Sequence, residues 1–289
     1  MKASEQRRIP LFIREVHSYY AKYRRDMAWR EYITPYRVVV SEIMLQQTQV
    51  DRVAKKFDSW MKRFPDWKSL AQASTKDILQ EWSGLGYNRR ALYLKRIAET
   101  ITGGGKAAGA FPKTFEGLRT LPGIGPNTAG SILAFAYNIP HPFIETNIRS
   151  AFIHFFFPMI EKKEGKRACK KIRDDEIMPL IEMTLTDKKN ATNPREWYYA
   201  LMDYGSHIKK QLGNPSRRSA HHVKQKPFKG SNREVRSNIL KIIMRQDSTQ
   251  EAIQKQLRNV PAEKIGKNVE DLVREGFIIK MREEYRIAS

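Results

Sequence analysis

The sequence predicts a mainly α protein that ends in a small α+β domain. Three observations carry this expectation. Short segments with apolar residues at helical spacing follow one another from Leu11 to Gly205. Strand signals are sparse in that stretch. Residues 232–289 then change character, with three amphipathic helices and two short β-rich runs around a charged turn, which is the pattern of a winged helix.

In chain order, Leu11 to Tyr23 places Leu11, Phe12, Val16, Tyr19, Tyr20 and Tyr23 at helical spacing. Pro35-Tyr36-Arg37 opens a second helix running through Ser41-Glu42-Ile43-Met44-Leu45, since proline is tolerated in a first helical turn. Ser74-Thr75-Lys76-Asp77 is a helix start leading into Ile78, Leu79 and Trp82. Gly84-Leu85-Gly86-Tyr87 breaks the periodicity, and a basic helix is expected from Arg89 to Ile101. Gly103 to Gly109 predicts a flexible connection.

From Lys209 to Arg233 the chain is basic, holds no acid and is broken by Gly213, Pro215, Pro227 and Gly230. A solvated linker or an extended DNA-facing segment is expected there. Asn232 to Met244 predicts a helix with Val235, Ile239, Leu240 and Ile243 inward. Ser248-Thr249-Gln250-Glu251 matches a capping box at the next helix start. Pro261 to Glu275, closed by Gly276, predicts a third helix with Ile265, Val269, Leu272 and Val273 inward. Phe277 to Met281 and Tyr285 to Ile287 are expected to be strands. The third helix of such a module commonly enters a DNA groove. Glu263, Glu270, Asp271 and Glu275 oppose that here, and docking to a protein is the alternative.

The 289 residues allow one large domain or two smaller ones, and 40% hydrophobic residues with five Trp and thirteen Phe supply a core. A formal charge of +22 and a pI of 10.0 favour a polyanionic partner, nucleic acid first, met by fast and salt-sensitive association. The one cysteine, Cys169, excludes an internal disulfide, a four-cysteine zinc site and a cysteine-ligated iron–sulfur cluster, and is expected to be a structural thiol. No signal peptide is visible, and no apolar run would span a membrane, as Arg149 and His154 interrupt Ile148 to Ile160. A soluble, cytoplasmic protein is expected.

Leu121-Pro122-Gly123-Ile124-Gly125 suits a tight hairpin between helices, its glycines letting main-chain N–H groups approach a ligand. A helix from Pro126 or Asn127 would aim its positive end at an anion, and in so basic a chain that anion is a DNA phosphate. Glu145 follows at a distance that would place an acid near the clamped phosphate. Plain helix–helix punctuation is the competing reading of the turn.

Trp29-Arg30, Thr34-Pro35-Tyr36, the run Ser41-Glu42-Ile43-Met44-Leu45-Gln46-Gln47-Thr48-Gln49-Val50, Gly84-Leu85-Gly86-Tyr87, Leu121 to Gly125 and Ala200-Leu201-Met202-Asp203-Tyr204-Gly205 occur in that order. Together they resemble the helix-hairpin-helix (HhH-GPD) DNA glycosylases, and among them the MutY-type adenine glycosylases. The resemblance covers about the first 210 residues. It implies a two-lobed helix-hairpin-helix glycosylase fold over residues 1–208, a basic segment over 209–231 and the winged-helix-like domain over 232–289. It implies double-stranded DNA with a mispaired or damaged base as partner, and a monomer.

Cleaving the bond between deoxyribose and adenine needs a proton for the leaving base and a negative group beside the sugar cation, so two carboxyl groups can divide the work. On the resemblance Glu42 is the general acid, and partial burial would raise its pKa. Glu145 falls where the family has aspartate, and Thr146 where glycine is usual. Asn147 matches the family's asparagine and would hold the carboxylate or the attacking water. A capping role is the alternative for Glu145 and Asn147. Asn127 stands where bifunctional relatives carry the lysine that forms a Schiff base, and where adenine glycosylases have tyrosine or serine. A monofunctional enzyme without lyase activity is therefore expected. Gln46 and Gln47 resemble the residues that probe the duplex at the lesion, and Tyr87 the intercalating aromatic, with a buried core tyrosine as the alternative.

Two features of the family are missing. No cysteine cluster follows Gly205, so no iron–sulfur cluster is expected, and Arg217, Arg218, Lys224 and Lys226 become candidates for phosphate contact. The tail is too short for the family's 8-oxoguanine-reading module. A monovalent cation, often held by main-chain carbonyls of the family's hairpin, is open to this one, and no other cofactor is expected. A thymine or uracil mismatch glycosylase and a non-catalytic binder of damaged DNA are the competing functions.

Overall fold

Proline in the first turn starts helix α1 (Ile9–Tyr23), which buries Ile9, Phe12 and Val16. The protein is seen in a computed structural model that describes residues 6–103, 110–158, 160–161, 167–168, 171–225 and 227–288. The buried stripe of α1 is narrower than its sequence pattern. Leu11 is 46% exposed because it sits about 100° around the helix from Phe12, and Tyr23 is 61% exposed in the last turn.

Local capping chemistry sets the next helices. After α2 (Ala28–Glu31), α3 (Pro35–Leu45) starts where the Thr34 hydroxyl accepts from the Arg37 N–H at 3.2 Å. Helix α4 (Val50–Arg63) precedes α5 (Trp67–Gln72), which opens with a capping box between Asp66 and Ser69. Ser74 caps α6 (Thr75–Glu81) as expected, and the basic helix α7 spans Arg89–Thr102. Thr114 caps α8 (Phe115–Arg119), and Gly125 precedes α9 (Pro126–Tyr137).

Helix α10 (Thr146–Phe156) has Glu145 as its N-cap. A short antiparallel pair, β1 (Ile160–Glu161) with β2 (Arg167–Ala168), interrupts the helical order that the sequence predicts. Helices α11 (Asp174–Leu185), α12 (Lys188–Thr192) and α13 (Pro194–Leu212) lead to a 3-10 turn over Pro215–Arg218. Among the described residues no helix is long and apolar enough to cross a membrane.

The C-terminal elements follow the winged-helix pattern. They are α14 (Asn232–Arg245), β3 (Ser248–Thr249), α15 (Gln250–Gln256), α16 (Ala262–Arg274), β4 (Ile278–Met281) and β5 (Glu284–Ile287). The sheet order is β3-β5-β4, with Ser248 opposite Tyr285 and Ile278 opposite Ile287. Two expectations need correction. Thr249, not Ser248, caps α15, accepting from the Ala252 N–H at 3.2 Å, while the Ser248 hydroxyl turns back to the Gln246 carbonyl at 2.9 Å. Val273 is 37% exposed, since only Ile265, Val269 and Leu272 lie on the inward stripe of α16. Cys169, Lys226 and Gly104 to Gly109 lie outside the described residues.

Two compact units do not follow chain order. One comprises residues 1–38, 112–120 and 124–224, the other 39–111, 121–123 and 225–289. In the first, Phe12 centres an aromatic core, its ring 4.8 Å from Phe152, 5.0 Å from Phe155 and 6.2 Å from Trp197. Asp203 is buried there against Arg25 at 2.7 Å and Arg30 at 2.9 Å, which meets the cost of removing a carboxylate from water. In the second, Trp60 packs edge-on to Phe64 and Trp82. Val235, Ile239, Ile265, Leu272 and Phe277 are buried in the same unit.

Candidate active site

In the first unit, candidate residues converge on the start of α10. Asn127, in the first turn of α9, accepts through Oδ1 from the Ile144 N–H at 3.2 Å. It thereby holds the residue just before Glu145. The Tyr198 hydroxyl donates to the His141 carbonyl at 2.8 Å and steadies the same approach. Glu145 then turns its carboxylate back on the helix it precedes, Oε1 accepting from the N–H groups of Asn147 at 2.7 Å and Ile148 at 3.0 Å. Asn147 Nδ2 faces Glu145 Oε2 at 3.5 Å, and Lys209 Nζ donates to Asn147 Oδ1 at 3.1 Å.

Burial pushes the Glu145 carboxyl above its ordinary value, against the Ile148 and Asn147 N–H groups and the charges of Lys209 and Arg149. Glu145 is thus a helix cap by geometry, and its second oxygen remains oriented by Asn147. The capping alternative is met by this side chain. Gly205 makes the arrangement sterically feasible. A Cβ there would lie 2.0 Å from the Asn147 carbonyl oxygen, so only glycine lets α13 pass this close to the start of α10.

In the second unit, half-buried Glu42 is flanked on α3 by buried Ser41, Ile43 and Met44. The chain leaves α3 through Gln46, whose Nε2 donates to the Gly123 carbonyl at 3.3 Å, and through exposed Gln47, which has a left-handed backbone with φ 53°. Tyr87, half-buried in the Gly84 to Tyr87 loop, is left-handed too, with φ 49°. Such a conformation costs a non-glycine residue roughly 1 kcal/mol and persists only where surroundings enforce it.

Arg90 does so for both. Its guanidinium, on a side chain only 5% exposed, donates to the carbonyls of Ile43 and Met44 at 2.8 Å, Gln46 at 2.6 Å and Gly86 at 2.9 Å, and to the Thr48 hydroxyl at 2.9 Å. The carbonyls it grips at Gln46 and Gly86 immediately precede the two left-handed residues. Burial lowers its pKa to about 10, and the negative end of α3 offers it dipoles. The sequence reading passed over Arg90, yet a signal was present: with Leu94, Ile97 and Ile101 it repeats at the spacing of the buried face of α7. Lys209 carried no such signal.

The hairpin forms between α8 and α9. Leu121 and Ile124 are each 5% exposed, so a ligand would meet main chain there and not these side chains. Gly123 has φ +78°, and a Cβ would sit 2.3 Å from Tyr93 Cδ2. Exposed Gly125 precedes α9, whose first intrahelical bond runs from the Ala129 N–H to the Gly125 carbonyl at 2.8 Å. Of the basic candidates, Arg217 and Lys224 are exposed. Arg218 instead donates to the Phe157 carbonyl at 2.6 Å, and a parallel bridge joins Ile172 to Ser219. The stretch around the 3-10 turn is therefore anchored and is not a free linker.

Residues 40–174 match the family model of the HhH-GPD superfamily base excision DNA repair protein. The adenine DNA glycosylase of Mycobacterium tuberculosis (strain H37Rv) is 40% identical over 133 residues, covering 46% of this chain and 43% of that protein. That of Buchnera aphidicola subsp. Acyrthosiphon pisum is 38% identical over 138 residues, covering 48% and 39%. That of Rattus norvegicus is 36% identical over 149 residues, covering 48% and 28%. The match thus spans less than half the length of each relative. A thermostable thymine-DNA glycosylase superposes with a TM-score of 0.59 at 19% identity, over 74% of this chain and 93% of that one. Endonuclease III in a non-covalent complex with DNA gives 0.51 at 16% identity, over 77% and 90%. These two likenesses establish the fold. Over residues 40–174 this chain is similar to the HhH-GPD superfamily of base excision DNA repair proteins.

Proposed function

We propose that the chain is a monofunctional DNA glycosylase that hydrolyses the N-glycosidic bond of a mispaired adenine turned out of the duplex, opposite 8-oxoguanine or guanine, and leaves an abasic site. The observation that carries this reading is Glu42, a half-buried carboxyl on α3 within the segment that resembles adenine DNA glycosylases at 36–40% identity. Glu42 gives a proton to the departing adenine as the bond to C1′ breaks. Positive charge grows on the sugar, and the Glu145 carboxylate, oriented by Asn147, stabilises it until water adds to C1′. Asn127 has no amine for a Schiff base, and its side chain holds Ile144 instead, which supports base release without strand cleavage. The partner in this reading is duplex DNA, met by a cytoplasmic monomer through the α9 start, Arg217 and Lys224. One cysteine cannot ligate an iron–sulfur cluster, so none is included, and a monovalent cation on the hairpin carbonyls remains compatible.

The test uses labelled duplexes carrying adenine opposite 8-oxoguanine, adenine opposite guanine, and thymine or uracil opposite guanine, each treated with alkali after incubation. Strand breaks on the adenine duplexes alone are expected. Breaks confined to thymine or uracil would replace the substrate. Binding without breaks on any duplex would make the chain a damage binder.

A further inference from the structure

In the second unit Gln225 and Arg233 reach back to the loop that carries Tyr87. The Tyr87 hydroxyl accepts from Gln225 Nε2 and, at 2.9 Å, from Arg233 Nη1. The Arg233 guanidinium lies 5.1 Å from the Tyr87 ring centroid and that of Arg90 lies 5.6 Å from it. The end of α16 is fixed to α7 and α14 nearby. Glu275 accepts from Arg89 Nε at 3.2 Å and Arg236 Nη2 at 2.6 Å, while its carbonyl accepts from Arg96 at 3.0 Å.

Two readings of this contact are open. A latch would hold Tyr87 away from DNA and have to open. A brace would hold it ready. Charge decides between them. The charged groups on the Tyr87 ring are Arg90 and Arg233, and Lys209 to Arg233 contains no acid, so DNA is attracted to the closed contact and has no reason to break it. Tyr87 also keeps a left-handed backbone, the kind of local strain that fixed neighbours must support.

We propose that Arg233 and Gln225 are positioning residues for Tyr87, and that Gln225 and residues 227–233 with the Tyr87 loop form one surface for duplex DNA at a damaged or emptied nucleotide. This rests on the DNA glycosylase reading but not on which base is excised. It would give the C-terminal domain a role through Tyr87 and not through insertion of α16, whose end is tied up at Glu275.

The test measures binding of the full chain by fluorescence anisotropy, at one salt concentration, to a duplex with a stable abasic analogue and to the same duplex undamaged. Thermal melting checks that each variant is folded. Arg233→Ala is expected to weaken abasic binding about tenfold while changing undamaged binding less than about threefold, as loss of a cation–π contact and a hydrogen bond requires. Arg233→Lys should restore undamaged binding but not the abasic preference, because the planar guanidinium is lost. Tyr87→Phe with Arg233→Ala should be no weaker than Arg233→Ala with Gln225→Ala, since both hydrogen bonds end on the one hydroxyl. Equal losses on both duplexes would reduce Arg233 to a general phosphate contact and overturn the proposal. Tighter abasic binding by Arg233→Ala would establish the latch and overturn it as well. Failure to release adenine, with the binding contrast intact, would sink the substrate reading alone.

Discussion

Lys209 holds Asn147 by its side-chain oxygen, Nζ to Oδ1 at 3.1 Å, and this leaves the amide nitrogen of Asn147 turned toward Glu145. The pair lies 62 residues apart in the chain. Lys209 opens the basic stretch that holds no acid, so a lysine sits beside the Glu145 and Asn147 pair.

That placement has a pH signature. Lys209 and Arg149 both lower the Glu145 pKa against the larger effect of burial. Removing Lys209 as Lys209→Met takes away one lowering charge, so the Glu145 pKa rises further. If the ionised carboxylate is the active form, the acid limb of the kcat profile moves to higher pH. Single-turnover rates between pH 5 and 9 check this. A limb that stays in place would remove Lys209 from the site.

Glu145→Gln should be inactive yet more stable at neutral pH. The folded protein holds the Glu145 proton to a higher pH than the unfolded chain, whose value is near 4.5. The associated stability is complete below that value and is lost as pH rises through the raised folded one. Glutamine does not titrate and keeps an oxygen for the two N–H bonds. The variant's advantage in Tm should therefore open as the pH rises. Melting curves at pH 4.5 and 7.5 decide it, and a lower Tm at both would be contrary.

Arg90→Met should lower stability by about 3 kcal/mol, since it strips donors from buried carbonyls at the end of α3 and in the Tyr87 loop. Arg90→Lys should recover only part, because an ammonium cannot span acceptors on two segments. Denaturant midpoints measure this. Full recovery by lysine would mean that charge alone, without the fork geometry, suffices.

Gly205→Ala should cost at least ~2 kcal/mol, because its Cβ meets backbone that cannot swing aside, and should slow base release by displacing Asn147. Gly266→Ala in α16 is the counterpart. Its Cβ meets only a flexible Gln250 side chain at 3.4 Å, so a gain of about 0.5–1 kcal/mol is expected. Equal effects at both positions would contradict the close approach at Gly205.

The sequence by itself determined where most helices begin and which face is apolar. The starts at Pro35, Ser74 and Pro126 rest on groups within four residues of one another, and so do the inward Val235, Ile239 and Ile243 of α14. The cap at Glu145 is of the same kind. Where local signals competed, as at Ser248 and Thr249, the Ser248 hydroxyl bonded back to Gln246 and the cap fell one residue later.

Tertiary structure alone decided the partners of the ionised groups. Arg90 looked like one more cation on a basic helix, and only the fold surrounds it with carbonyls. Arg233 lies 146 residues from Tyr87, and nothing in either neighbourhood announces the other. Helix starts and stripes depend on backbone geometry repeated every few residues. The surroundings of a charge depend on which distant segments pack beside it, and that packing is specified by the core as a whole.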